Sequence, residues 1–376
     1  MTVAGLIFAN IHDDTIPELT RTRTMASVPF GARYRLIDFM LSNMVNSGIT
    51  KVGVITSNNY ESLLDHLGTG KDWDLARRSG GIKILPPHIT SFDNTAAGRS
   101  SSRLEAIIGA ANFILRCNEE HLVMADCDVI CNIDLTKVMR EHEKSGADIT
   151  FVTKTMDMTD TVSAEKITVI QADGEGRVTE FSEHKSFNGM TRVYTNIMVI
   201  KRSYLVNIMN NSMAHGYTRF LHDILSRDVS RADYRIYEYD GFYASINSMA
   251  TYFSCSMKLL EPAVRESLFG DKNYPVLTKV RNSAPTRYLE GAEVKNSVIA
   301  DGCTIEGTVE NSILFRGVHV CRGAVVKNTV LFQDAYVCPG VSLNCVIADK
   351  NVTVKDGRTL SGHDSMPFYI GKSITV

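Results

Sequence analysis

Between residues 296 and 347 one short pattern recurs, an Asn followed after one residue by two aliphatic side chains. It reads Asn296-Ser-Val-Ile299, Asn311-Ser-Ile-Leu314, Asn328-Thr-Val-Leu331 and Asn344-Cys-Val-Ile347, at steps of 15, 17 and 16 residues. A second register, Val320-x-x-Gly323 and Val337-x-x-Gly340, repeats at 17. Asn and Gly enter left-handed backbone at small cost, as regularly spaced corners require. Short β-branched runs between corners predict a parallel β-helix whose coils stack aliphatic side chains inward. An ordinary β-sandwich has no such period. From 285 to 376 there are nine Lys and Arg against nine Asp and Glu, so this part is neutral and reads as a packing or assembly element.

The preceding three-quarters has a different rhythm. Residues 3–9 form an apolar run of buried-strand type, and positions 36, 37, 40, 41, 44 and 45 are apolar at helical spacing before Gly48. Further strands are expected over 51–56, 82–85, 121–125 and 148–153, with helices over 60–67, 103–116 and 135–144. This alternation implies a mainly parallel sheet covered on both faces, with ligands bound beyond the carboxyl ends of its strands. Attention falls on 10–20, after the first strand, and on 126–134. The division is 1–284 for the α/β domain with its linker and 285–376 for the β-helix.

Composition excludes several functions. Forty Lys and Arg against 42 Asp and Glu leave a net charge of −2, without the basic stripe of a nucleic-acid binder. The seven-residue apolar run at 3–9 is far short of a membrane span and lacks a basic flank, so it reads as a strand rather than a leader. None of the eight cysteines forms a C-x-x-C pair, which fits core thiols in a reduced, cytoplasmic protein.

The segment Val28-Pro-Phe-Gly-Ala-Arg-Tyr-Arg-Leu-Ile-Asp-Phe39, with Leu41-Ser-Asn43 and Asn46-Ser-Gly-Ile49, closely resembles glucose-1-phosphate adenylyltransferases. Tyr274-Pro-Val and Ala284-Pro-Thr-Arg-Tyr288 resemble that family's linker, so the likeness spans essentially the whole chain. It implies a Rossmann-like, GT-A-like nucleotidyltransferase domain joined to a left-handed parallel β-helix. It also implies tetramers, and Mg²⁺-dependent conversion of ATP and glucose 1-phosphate into ADP-glucose and pyrophosphate.

Against that chemistry the chain is depleted. The family's Gly-x-Gly-x-Arg phosphate loop is replaced by Ala9-Asn-Ile-His-Asp-Asp-Thr-Ile-Pro-Glu-Leu19, with no Gly, Arg or Lys and with Asp13, Asp14 and Glu18. Three carboxylates facing a triphosphate are expected to repel it. Met25-Ala26 stands where the family has Lys-Pro, and Ser102-Arg-Leu-Glu-Ala106 matches the adenine-side motif only weakly. Of two metal-binding aspartates, Asp128 is the counterpart of one and Ala250 is placed at the other. A lone carboxylate does not clamp Mg²⁺ on phosphates as two do. The family's Glu-Lys-Pro becomes Glu183-His184-Lys185.

No catalytic residue is therefore assigned, and no metal. Glu183, Lys185 and Asp128 are read as a remnant sugar-phosphate and nucleotide pocket, while Arg21, Arg23 and Arg33 are effector-anion candidates; Arg35 reads as a salt-bridge or interface residue. The resemblance is strongest to a non-catalytic or weakly active second subunit of Gram-positive glycogen biosynthesis. That implies a catalytic glucose-1-phosphate adenylyltransferase partner in a heterotetramer, a phosphorylated sugar effector, and no cofactor of the chain's own, Mg²⁺ belonging to the partner. The alternatives are an active sugar-phosphate nucleotidyltransferase with a degenerate phosphate loop, and an acyltransferase using His319, the one histidine within the repeats.

Overall fold

The computed structural model describes residues 1–86, 102–159 and 161–376. Among them the α/β domain is built on β1 (Val3–Phe8), β2 (Lys51–Ile55), β3 (Gly81–Leu85), β4 (His121–Asp126), β5 (Ile149–Asp157), β6 (Val162–Ala172), β7 (Val178–Ser186), β8 (Met190–Lys201) and β9 (Tyr234–Glu238). Seven run in the order β7-β6-β8-β4-β1-β2-β3, and β5 pairs with both β8 and β9. The β4-β1-β2-β3 portion is parallel. β8 lies antiparallel to β4, and β6 with β7 form the hairpin closed by Asp173–Gly176.

Burial on both faces explains the unbroken apolar runs of the central strands. The helix α1 (Leu36–Asn46) lies so close to β1 that a Cβ on Gly5 would stand 2.5 Å from Met44 Sδ. Gly48, at φ 81°, ends the helical segment as its spacing predicts. The run expected as one helix over 103–116 is two, α2 (Arg103–Gly109) and α3 (Ala111–Leu115). The break falls at Ala110, whose ψ of 7° leaves the helical region just after Gly109.

Three parallel five-stranded ladders form the left-handed β-helix, beginning with Arg287–Tyr288. Asn296, Asn311 and Asn328 hold the left-handed corners at φ 43–46°. In the fourth coil, however, the left-handed residue is Cys345 (φ 52°), not Asn344. Strand register pairs Lys327 with Asn344, so the backbone repeat there is 17 and the apparent step of 16 reflects side-chain type. Asn344 still continues the amide ladder, accepting from Asn328 Nδ2 at 2.8 Å.

The two domains share one apolar core. Phe315, Phe332 and Ile347 of the β-helix join a cluster with Leu19, Phe30 and Tyr252. Tyr252 and Phe332 pack edge to face at 6.2 Å.

Candidate functional site

A cavity of about 1070 Å³ opens beyond the carboxyl ends of β1 and β4, between them and the β6–β8 extension. Asp128 lines it from the turn Asp126-Cys127-Asp128, where β4 ends beside Phe8 of β1. Both carboxylates are fully or almost fully buried. Asp126 Oδ2 accepts from Arg103 Nη2 at 2.6 Å and lies 3.1 Å from His12 Nε2. Arg103 occupies the first turn of α2, whose N-cap Ser102 and Glu105 form a capping box, and its guanidinium stands 5.0 Å from the Phe8 ring centroid.

Burial would raise the Asp126 carboxyl, yet Arg103 and His12 hold it below its usual range. Asp128 goes the other way: burial raises it, the nearby Asp126 charge adds to that, and His12 only partly offsets them. For His12, burial favours the neutral ring, but Asp128 and Asp126 outweigh it and lift the imidazole to about 9. The oxygens of Asp126 and Asp128 and a nitrogen of His12 lie within 4.8 Å of one another, the one such group among the described residues.

The residue meeting Asp128 is Ser245, which donates its hydroxyl to Oδ2 at 3.1 Å. Pairing of the strand Ala244–Ser245 with Val129–Ile130 puts it there. Ala250, placed by sequence opposite Asp128, is instead in the first turn of α6 (Met249–Lys258), the helix that follows α4 (Leu135–Ser145) and α5 (Arg202–His215) in this numbering, and it lines the cavity from there. Either way, the position facing Asp128 offers a hydroxyl or a methyl, not a second carboxylate.

The segment 10–20 departs from expectation in detail. Pro17 begins a short helical turn, Ile16 and Leu19 are buried, and the chain is drawn back onto the core. Asp13 is consequently turned to the backbone N–H of Met25, at 2.6 Å. Of this loop His12 lines the cavity, whereas Asp13, Asp14 and Glu18 do not. The loop after β1 thus presents to the cavity an imidazole held by a carboxylate, not the three acids expected from its sequence.

Glu183 lines the cavity, 3.1 Å from His222 Nε2 and 3.8 Å from Lys166 Nζ. Lys185 does not reach it; its ammonium donates to the Ala164 carbonyl at 2.9 Å. Sequence reasoning missed His12, Arg103, Lys166 and His222 because their partners lie 17 to 114 residues away. The Ser102-x-x-Glu105 capping box was the one local signal for Arg103.

The arginine candidates separate. Arg23 is buried and makes two 2.8 Å bonds to the carboxylate of Asp349 in the β-helix, so it is committed to a cross-domain pair. Arg21 is exposed at the surface, its carbonyl accepting from Asn59. Arg33 lines a narrow cleft between the domains with Arg35, Lys279, Arg281, Arg316 and Lys350. Burial, together with Arg35, Arg23 and Arg281, pushes the Lys350 amine down to about 7. His319 is paired with Glu306 at 3.3 Å and packed on Tyr336, which supplies nothing particular to acyl transfer.

A nucleotidyltransferase-type domain bearing a hexapeptide β-helix is the class that this fold and cavity define. Comparison agrees: residues 16–241 match the family described as nucleotidyl transferase, and 284–367 the GlmU-like C-terminal hexapeptide family. Over 372 residues the chain is 33% identical to the glycogen biosynthesis protein GlgD of Bacillus subtilis (strain 168), covering 98% of this chain and 96% of that one. It is 35% identical over 324 residues to GlgD of Geobacillus stearothermophilus, covering 86% and 82%. It is 29% identical over 334 residues to the glucose-1-phosphate adenylyltransferase of Thermosipho africanus (strain TCF52B), covering 86% and 77%. The chain belongs to the glycogen-biosynthesis nucleotidyltransferase family that these proteins represent. No helix among the described residues is long and apolar enough to cross a membrane.

Proposed function

We propose that this chain is a non-catalytic or weakly active regulatory subunit that assembles in the cytoplasm with a catalytic glucose-1-phosphate adenylyltransferase, as a heterotetramer, and tunes its output. One observation carries the reading. The loop after β1, where a triphosphate needs converging N–H groups and fixed positive charge, has no glycine and no Arg or Lys, and folds back through Pro17 onto the core. Phosphoryl transfer relies on positioning and charge stabilisation, and removing one such donor alone typically costs about 100-fold or more. Mg²⁺ belongs to the partner's chemistry.

The regulatory half is supported by the interdomain cleft. Six Lys and Arg side chains converge there, with Arg316 bonded to Asp301 and Arg35 to Ser62. That excess of positive charge favours a small phosphorylated effector, taken by Arg33 and Lys350 at the junction that any change in domain packing must cross. The test is to purify the chain alone and with its catalytic partner and to assay ADP-glucose formation with and without sugar phosphates. The isolated chain is expected to be inactive or nearly so, and the assembled pair to differ from the partner alone in rate or effector response. Full activity of the isolated chain, or a partner indifferent to it, refutes the reading.

A further inference from the structure

The buried corner at Asp126 and Asp128 has the ligand types of a divalent-cation site, but its surroundings do not fit one. The oxygen of Asp126 nearest His12 is already taken: Arg103 Nη2 stands 2.6 Å from Oδ2, and His12 Nε2 stands 3.1 Å from the same atom. Arg103 has no free choice of position, being capped into α2 and laid against Phe8. A guanidinium cannot be deprotonated at any working pH, so an ion bound through this oxygen would have a permanent positive charge as its neighbour. The other carboxylate gives no compensation. Asp128 Oδ2 accepts the Ser245 hydroxyl at 3.1 Å, so one oxygen of each carboxylate is engaged while Asp126 Oδ1 and Asp128 Oδ1 stay buried without a hydrogen-bond partner, and Tyr243, Ala244 and Ala250 of the cavity lining add no further carboxylate. Mg²⁺ and Mn²⁺ want several hard oxygens with room for water, not two carboxylates already facing two nitrogen cations.

We propose that His12 and Arg103 stand in for a divalent cation at this corner, so that the cavity has no metal-ion affinity of its own and any ligand it holds is bound without a metal. The inference goes beyond the regulatory reading and does not rest on it, since a regulatory subunit could keep or lose a metal. It also accounts for why both acids persist in a buried position. With Arg103 and His12 beside them they form a charge-balanced cluster, whereas without these cations they would be two uncompensated buried carboxyls.

The test is Mn²⁺ titration of the full-length chain, following free Mn²⁺ by its electron paramagnetic resonance signal, with Asp128→Asn as the control for binding elsewhere. Wild type and Asp128→Asn are expected to give the same titration. The double variant His12→Gln, Arg103→Met uncovers both carboxylates and should take up Mn²⁺ at least about tenfold more tightly than wild type, on the scale by which surrounding groups tune metal sites. The single variant His12→Gln, which leaves Arg103 in place, serves where circular dichroism shows the double variant unfolded; it should gain a smaller affinity in the same direction. Wild-type binding that disappears in Asp128→Asn overturns the proposal. So does a folded variant whose Mn²⁺ affinity equals that of wild type, because the two cations would then not be what excludes the metal.

Discussion

Replacing Asp349 by Asn should destabilise the whole molecule rather than one domain, and its size follows from the geometry. The Asp349 and Arg23 side chains are 2% and 4% exposed and are joined by two 2.8 Å bonds. Tyr369 Oη lies 2.9 Å from the same carboxylate and 2.7 Å from the Glu18 carbonyl, so the loop after β1 and the β-helix are fastened at one point. Breaking a buried pair by removing one charge strands the other, at about 3–5 kcal/mol. Asn keeps one acceptor for Arg23, which places Asp349→Asn near the lower end of that range. The variant Arg23→Met, Asp349→Leu removes both charges and should recover most of the loss, giving a coupling energy of about 2 kcal/mol or more. Guanidinium unfolding can be followed by two probes. The single tryptophan, Trp73, is buried in the α/β domain and reports on that domain, while far-ultraviolet circular dichroism reports on both. Because the domains share a core, the two transitions should coincide and move together in Asp349→Asn. A loss below about 1 kcal/mol, the level of an exposed ion pair, would refute the argument.

Three further expectations are simpler to check. Binding of a small phosphorylated anion at the interdomain cleft should tighten as pH falls through about 7, because Lys350 then takes up the proton that burial and the neighbouring Arg35, Arg23 and Arg281 deny it; calorimetric titration at pH 6.5 and 8.5 reads this, and the trend should vanish in Lys350→Met. His12 is shifted the other way and acts on stability: its folded value of about 9 lies above its ordinary 6.5, so its contribution is complete below pH 6.5 and lost as pH rises through 9. The melting temperature of wild type relative to His12→Gln should therefore fall across that window, and a constant difference would be the contrary result. Finally, Leu343→Ala, at a position 1% exposed inside the β-helix, should cost about 2–5 kcal/mol in denaturant unfolding.

The β-helix was legible in sequence because its period is written in residue types that backbone corners demand, and the strands and helices of the α/β domain were legible because burial on fixed faces imposes apolar spacing. The fourth corner shows the boundary of that logic. Asn344 fits the pattern, but strand pairing places Asn344 in register with Lys327 and hands the left-handed position to Cys345. The candidate site was legible mainly by subtraction. Missing glycines and cations after β1 could be counted, whereas the groups now filling the site could not: His12 meets Asp126 across 114 residues, and Arg103 meets it across 23. Arg21, Arg23 and Arg33 looked alike as neighbours in sequence, and only packing separates a surface residue, a cross-domain pair and a member of the cationic cleft.

The acidic loop and the cationic cluster, which in sequence stand side by side, are in the folded chain two ends of one junction. Arg23 and the Glu18 carbonyl hold the loop to Asp349 and Tyr369, and Asp349 is followed directly by Lys350, whose amine faces Arg33 and Arg35 across the cleft. Lys350 also donates its backbone N–H to Asp349 Oδ1 at 2.6 Å. An anion drawing Lys350 into its charged form therefore acts one peptide bond from the carboxylate that fastens the two domains. The stretch after β1 is tied to the domain junction, and under the regulatory reading proposed above a change at the cleft reaches it through Asp349 and Tyr369.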